Sequence, residues 1–550
     1  MYTLDIGGFT SKETILKCSC DDSVYVPEEL QWLVPHKCTF GFDVMVYVGK
    51  ALFVQCLGEQ EIIKKMKERN IPVSDRQISY LGKKFIMYLA IAHRESHKQL
   101  KEAMALRGGY ILHLDGTCEG DSPFLFTGID GIAEVVLDNI KLPSEKAERI
   151  IPFLKRIKKY YGNPIALVHD MGKGILRAVK EVFPDINDFI CHYHFLRDIG
   201  KDLLEAQYSE LRNLLKKYRI RTLLRQRARA LEKVIGCDIS MVDELKASIE
   251  KGQIEDRFLG KMPALTTYTL IHWALDTSSQ LNGYGFPFDR THLIFYQNLN
   301  AVYSSLTQIT ENLNDKTKDN KPFYKVKKLL EEVINDKKVS RLASEIQGKA
   351  MVFDKLREAM RIAIPEEKKG LNDDGEDGNI RSIEDKVKGF KEWLVSDKTL
   401  SRKDDYKSML KQIDKYWDKL FADPIKISTH DGLLTIQPQR TNNILERLFR
   451  DIKRGYRKKR GTSSLSKVLK TILSDTPLIK NLDSEEYMKI ILNDCQTLEE
   501  RFAKIDSALI INKLKTLHCS EERFSPVMKK IIKKDNLPAV MTKLLAGKTK

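Results

Sequence analysis

Three carboxylates far apart in the chain stand where metal-dependent chemistry would need them. Asp115 ends the run YILHLD and is followed by Gly116 and Thr117, and Asp170 ends the apolar run PIALVHD in the same manner. Runs of this kind read as strands. In an α/β sheet, groups at the carboxyl ends of neighbouring strands converge on one crevice. Glu446 lies in TNNILERLFRDIKRGYRKKRG, whose pattern is helical. At about 100° per residue, Ile444, Leu445, Leu448, Phe449 and Ile452 fall on one face, and Glu446, Arg450, Lys453 and Arg457 fall on another. A glutamate among arginines is held ionised and makes a poor general base, but its oxygens suit a hard divalent cation. Two Mg²⁺ or Mn²⁺ ions held by Asp115, Asp170 and Glu446 would activate an attacking oxygen and stabilise a leaving one in an in-line phosphoryl displacement. Arg450, Lys453, Arg454 and Arg457 would hold DNA beside them. Each acid also has an ordinary reading: Asp115 as a turn residue, Asp170 as a helix cap, Glu446 as the N3 carboxylate of a cap with Asn443. Their joint occurrence in this order favours catalysis.

The elements that must position these groups follow from the local patterns. GGYILHLDGT, PFLFTGID and GIAEVVLDNI read as three strands separated by turns at CEGDS and DG. The helix SEKAERIIPFLKRIKKYYG follows, opened at Ser144 and closed by Gly162, then the strand PIALVHD, the helix GILRAVKEVF and a short strand into DFICHYHF. Upstream, residues 1–58 read as a small β-rich module because FDVMVYVGKALFVQ clusters β-branched and aromatic residues. Residues 59–105 read as two amphipathic helices joined by a short turn, with Ile62, Ile63 and Met66 on one face and Ser74 capping a second helix that carries Ile78, Leu81 and Phe85. Such a pair fits a DNA-reading helix-turn-helix. The expected organisation is then an α/β core with a mixed sheet over 106–200, a helical insertion over 201–435 with a disordered acidic loop near 366–386, the rest of the core over 436–475, and a basic helical tail over 476–550.

Composition agrees with several cores and an anionic partner. At 550 residues the chain is about three to four times the usual domain length. The 93 Lys and Arg outnumber the 76 Asp and Glu, leaving +17, enough to attract a polyanion over long range. The sequence offers neither a span of about 20 apolar residues nor a secretory leader, and its nine scattered cysteines suit a reducing, intracellular setting. Cys18, Cys20, His36 and Cys38 could together supply the four ligands of a structural Zn²⁺ in the N-terminal module, although C-x-C is tighter than the usual first pair. Cys191 and His194 form a second C-x2-H pair, for which two further zinc ligands are not evident. A buried Cys191 and a hydrogen-bonding His194 near the site are expected instead.

From Gly108 to Gly461 the chain resembles bacterial insertion-sequence transposases of the DDE type. The resemblance is carried by GGYILHLDGT, PIALVHDMGKGILRAV, VFPDINDFICHYHFLRDIGKDLL and RTNNILERLFRDIKRGYRKKRG. It implies an RNase H-like core in which Asp115, Asp170 and Glu446 match the three acids. The long stretch between Asp170 and Glu446 looks like the helical insertion of Mutator-like and hAT transposases. In such relatives an aromatic residue of the insertion sometimes stacks on a flipped base, a role open to Trp273, which would otherwise be a core residue. The resemblance also implies cleavage at transposon ends, transfer of 3′ hydroxyls into target DNA, terminal inverted repeats as ligands, a homodimer or larger assembly on DNA, no membrane, and a prokaryotic, cytoplasmic, nucleoid-associated setting. Two rivals remain: a domesticated DNA-binding regulator, and a nuclease that cuts without joining.

Overall fold

The computed structural model describes residues 1–21, 23–25, 29–35, 37–236, 239–252, 262–313, 319–364, 380–421, 423–429, 432–461, 464–521, 528, 531 and 534–546. Its centre is a five-stranded mixed sheet built from β1 (Ile111–Thr117), β2 (Phe124–Asp130), β3 (Val135–Leu142), β4 (Ala166–His169) and β5 (Asp188–Ile190). The spatial order is β3-β2-β1-β4-β5. The first three strands form an antiparallel meander, and β4 and β5 add parallel to β1 on its other side. Parallel neighbours require crossovers, supplied by helix α5 (Ala147–Tyr161) before β4 and α6 (Lys173–Val182) after it. The strands appear where the sequence places them. Helix α5, however, is capped at Lys146, which makes no side-chain cap bond, so Ser144 is not its opener; Gly162 closes it with φ 83° as expected.

The N-terminal region departs most from expectation. Residues 42–53, read as strands, form helix α1 (Phe42–Phe53), and only two-residue ladders pair Tyr2–Thr3 with Gly7–Gly8 and Leu16–Lys17 with Val24–Tyr25. The reason is burial: eight residues of α1 are buried, and its unburied Asp43, Tyr47 and Lys50 recur at i, i+4 and i+7 as a narrow outer stripe, a helical period that the cluster of β-branched residues masks. The helix Asp75–Glu95 packs close enough that a Cβ on Gly49 would lie 2.1 Å from the Phe85 ring.

Helices α2 (Glu59–Lys67), α3 (Asp75–Glu95) and α4 (His97–Leu106) follow, and Ser74 caps α3 in a reciprocal capping box with Gln77. Ile62 and Met66 are buried. As a helix-turn-helix, though, the pair is misplaced: α3 buries 13 of its 21 residues in the main core, and a helix sheathed on most sides cannot lie in a DNA groove.

What covers α3 is the C-terminal segment, so residues 476–510 are not a tail. Phe502 stacks on Tyr88 with centroids 5.3 Å apart, and His93 Nδ1 lies 2.9 Å from the Tyr487 hydroxyl. Arg94 pairs with buried Asp475 at 2.7 Å, and Lys513 meets the other oxygen of that carboxylate at 3.0 Å. A single apolar core therefore runs from Phe40 through the sheet to Ile510.

A second core belongs to the helices between His192 and Leu420. Its spine is α7 (His192–Lys217), which begins at the end of β5 and runs out among helices Thr291–Asn312, Lys337–Met360 and Asp404–Lys415. The helical expectation for this block holds with two changes. Residues 380–386 of the expected acidic loop belong to helix Ile380–Ser396, while residues 365–379 lie outside the described residues. Ile425–Thr429 and Gly432–Ile436 pair as an antiparallel hairpin, and Ile425 and Ile436 pack on Ile111 and Val168 of the sheet. No helix among the described residues is long and apolar enough to cross a membrane.

Candidate active site

Sheet register brings the two aspartates together. Leu114 of β1 is paired with His169 of the parallel strand β4, so Asp115 and Asp170 are the next residue of each at the same carboxyl edge. Side chains alternate along a strand, which puts Asp115 on the face of His113 and Ile111. Ile111 shares its apolar cluster with Val168, two residues before Asp170. Asp115 is only 5% exposed and sits inside the ladder opposite Thr127, so it is not a turn residue. The Asp170 carboxylate accepts the Gly172 amide at 3.1 Å, but the cap position of α6 is Gly172 itself, without a side-chain cap bond.

The third acid arrives on α8 (Asn443–Arg460), where Ile444, Leu445, Leu448 and Phe449 are buried as the periodicity predicts. The segment before α8 is fixed by polar bonds to the sheet. Asn442 Nδ2 donates to the Leu114 carbonyl at 3.0 Å, its Oδ1 lies 3.0 Å from His113 Nδ1, and its backbone amide meets Cys191 Sγ at 3.3 Å. All three partners border the aspartates. Because these contacts occupy Asn442, the cap residue of α8, no side chain caps the helix and Glu446 has no capping role. Glu446 instead lies 3.9 Å from His194 Nε2, with its side chain 39% exposed.

Asp115 feels the other two carboxylates. Burial, with Asp170 and Glu446 adding repulsion, holds the Asp115 carboxyl well above the usual carboxylate range. Burial also raises Glu446, opposed by the Arg197 and Arg450 guanidiniums. Cys191 is fully buried, its thiol pushed up to about 12 by burial and by Glu446, so it is no thiolate ligand on its own. Burial, then Arg197 and Lys201, press His194 down to about 3, leaving it neutral at ordinary pH.

Two charged neighbours escaped the sequence reading. Arg197 stands one turn beyond His194 on α7, and its charge opposes the upward shifts of Asp115, Glu446 and Glu145. Glu145, just ahead of α5, is pushed up to about 7 by burial and by Asp170. It is held close because α6 presses on its backbone: a Cβ on Gly174 would lie 1.8 Å from the Glu145 carbonyl oxygen. The i, i+3 spacing of His194 and Arg197 could have pointed to Arg197; nothing local marks Glu145.

The remaining candidates scatter. On α8, Arg450, Arg454 and Arg457 are exposed and Lys453 half-buried, and none of the four has an ion-pair partner within 4 Å among the described residues. Trp273 is 48% exposed on helix Met262–Leu275, so it is not the core residue its surroundings suggested. Cys18 and Cys20 are joined as a disulfide, Cys38 Sγ lies 2.8 Å from Lys84 Nζ, and His36 lies outside the described residues. The four are thus not brought together as one ligand set among the described residues; Cys18 and Cys20 lie close to Asp21, but their thiols are spent in the disulfide.

What the crevice offers chemically is a set of carboxylates with the Arg197 and Arg450 guanidiniums nearby, open to solvent on the Glu446 side. No protein-family model matches this chain, and no curated protein matches it either.

Proposed function

We propose that the protein is a DDE-type transposase, a metal-dependent enzyme that cleaves DNA at the ends of a mobile element and joins the resulting 3′ hydroxyls to target DNA. The observation that carries this reading is the convergence of Asp115, Asp170 and Glu446, three acids from distant segments, on one sheet edge, near enough that Asp170 and Glu446 add to the burial that raises the Asp115 carboxyl. The strand order β3-β2-β1-β4-β5, with an antiparallel meander followed by two parallel strands, is what an RNase H-like core would require.

The donor set fits divalent cations. Asp115, Asp170 and Glu446, with Glu145 alongside, offer hard oxygens in excess of the two nearby guanidiniums of Arg197 and Arg450, and such a surplus is relieved by a bound cation. When bound, a pair of Mg²⁺ ions supplies Lewis acidity for in-line phosphodiester displacement. The chain's own residues do the rest. Asn442 and His113 lock the start of α8 to β1, so Glu446 is delivered to the aspartates by a rigid helix rather than by a loop. Neutral His194 can donate or accept a hydrogen bond at the open side of Glu446 without adding charge. Arg450, Lys453, Arg454 and Arg457 offer phosphate contacts along α8, which position the duplex without reading its sequence. End recognition would use surfaces other than α3, and Trp273 is free to stack on an unpaired base.

The deciding experiment is strand joining on a plasmid target in Mg²⁺, with Asp115→Ala, Asp170→Ala and Glu446→Ala alongside. All three variants should lose cleavage and joining while retaining DNA binding, which comes from basic groups. Cleavage without joining by the wild-type protein would assign it as a hydrolytic nuclease; full activity in any one variant would remove that acid from the site.

A further inference from the structure

A second site lies at the other end of α8. A cavity of about 340 Å³ opens between α1, α2, α3, the last turn of α8 and the segment Leu465–Thr476. Its size falls within the range of roughly 300–1,000 Å³ typical of small-ligand sites. Four cations line it, Lys83, Lys459, Arg460 and Lys470, against one carboxylate, Glu59. That carboxylate is already engaged, accepting from Arg460 at 2.6 Å and from the Ser79 hydroxyl at 3.2 Å. Lys470 reaches out to Asp121, whose side chain is 80% exposed, a contact that water screens and another anion can displace.

Lys459 is the informative residue. Its ammonium lies 4.0 Å from the Tyr456 ring centre and 4.7 Å from that of Phe53, and it has no ion-pair partner within 4 Å among the described residues. Burial, with Arg460 nearby, pushes it down to about 8, while Cys56 and Glu59 oppose the shift. A half-buried ammonium held against two aromatic rings without a counter-ion is stabilised by any anion that reaches it. The rest of the lining is largely apolar and includes Leu52, Phe53, Ile86, Tyr456 and Ile472, with the Phe53 and Tyr456 rings directly beside the Lys459 ammonium. Cations interleaved with apolar and aromatic groups suit an anion that carries a flat, poorly hydrated body.

We propose that this cavity binds a phosphate ester of mononucleotide size, with Lys459 and Lys470 on the phosphate and the apolar wall against the base. The same chemistry could come from a free nucleotide or from the 5′-phosphorylated end of a DNA strand. The site is independent of the acidic crevice and of the transposase reading.

Calorimetric titration of the full-length protein with deoxyadenosine monophosphate tests it. Saturable binding is expected, weakened about tenfold or more by Lys459→Gln and by Lys470→Gln, since each removes a charge-assisted contact. Asp115→Asn should bind like the wild type, which separates this site from the crevice. Lys470, 41% exposed, can be replaced with little risk to folding if Lys459→Gln does not fold. Competition by a 5′-phosphorylated oligonucleotide, and not by its 5′-hydroxyl counterpart, would support the site and assign it to strand ends; binding without competition would support it and assign a free nucleotide. Absence of saturable binding, equal binding in both lysine variants, or inorganic phosphate binding as tightly as the nucleotide would each overturn the proposal.

Discussion

The two ends of α8 face opposite electrostatic problems. At its first turn Glu446 enters a crevice of carboxylates relieved mainly by Arg197, whereas at its last turn Lys459 and Arg460 enter a cavity of cations relieved by Glu59. Between them lie about 20 Å of helix. The helix dipole favours this arrangement, since anions are stabilised near the N-terminus and cations near the C-terminus. It accounts for only a small part, because such terms are about 0.3–1 kcal/mol each at exposed sites. The rest of the charge imbalance at each end is left for a ligand. A functional site can thus be recognised by charge that the fold positions but does not neutralise.

Breaking the acidic end should have the largest effect. Glu446→Gln preserves volume and removes the charge; cleavage in Mg²⁺ should fall on the order of a thousandfold, several kcal/mol of barrier, with the thermal unfolding midpoint little changed. A variant that cleaves at near wild-type rate would show that the third acid lies elsewhere.

Arg197→Gln sharpens the same comparison by removing the opposing cation. With that charge gone, Asp115, Glu145 and Glu446 hold their protons to higher pH. The acid limb of the pH–rate profile should move upward by about one unit. An unmoved limb would mean that Arg197 does not influence the groups that titrate during turnover.

Asp115→Asn tests the cost of burying that carboxyl beside two others, without any substrate. A carboxyl whose folded pKa is raised binds more protons folded than unfolded, so it costs stability progressively as pH rises above its unfolded value near 4. In EDTA the variant should therefore be the more stable form at pH 8, by about 1 kcal/mol, and the gap should close toward pH 4. Saturating Mg²⁺ should reverse the order, because only the wild type gains from binding. Differential scanning calorimetry at the two pH values, with and without Mg²⁺, reads all of this.

The smallest effect belongs to the stripe between the two ends. Lys453→Ala should weaken duplex binding a few-fold and lower the slope of log affinity against log salt by about one. A constant slope would mark the stripe as an ordinary solvated face.

The N-terminal region teaches a complementary lesson. Residues 1–105 were expected to form separate modules, yet α3 is covered by Tyr487 and Phe502 from the far end of the chain. Cutting after residue 105 would expose α3, so DNA binding is best measured on the whole protein.

Sequence alone determined whatever depends on neighbours along the chain. The apolar character of YILHLD and PIALVHD made β1 and β4, and the 3.6-residue period of ILERLFRDI made the buried face of α8. Because Asp115 lies towards the carboxyl end of β1 and Asp170 directly follows β4, their shared edge was legible too. Tertiary structure alone decided what depends on partners distant in sequence. It turned FDVMVYVGKALF into a helix by burying eight of its residues in the core, where packing overrides strand propensity. It placed Glu145 beside Asp170 through the close approach that Gly174 permits, and it placed Lys459 in a cavity whose walls come from four separate stretches of chain. Burial and long-range charge shift a carboxyl or an ammonium through everything packed around it, and no local pattern encodes that.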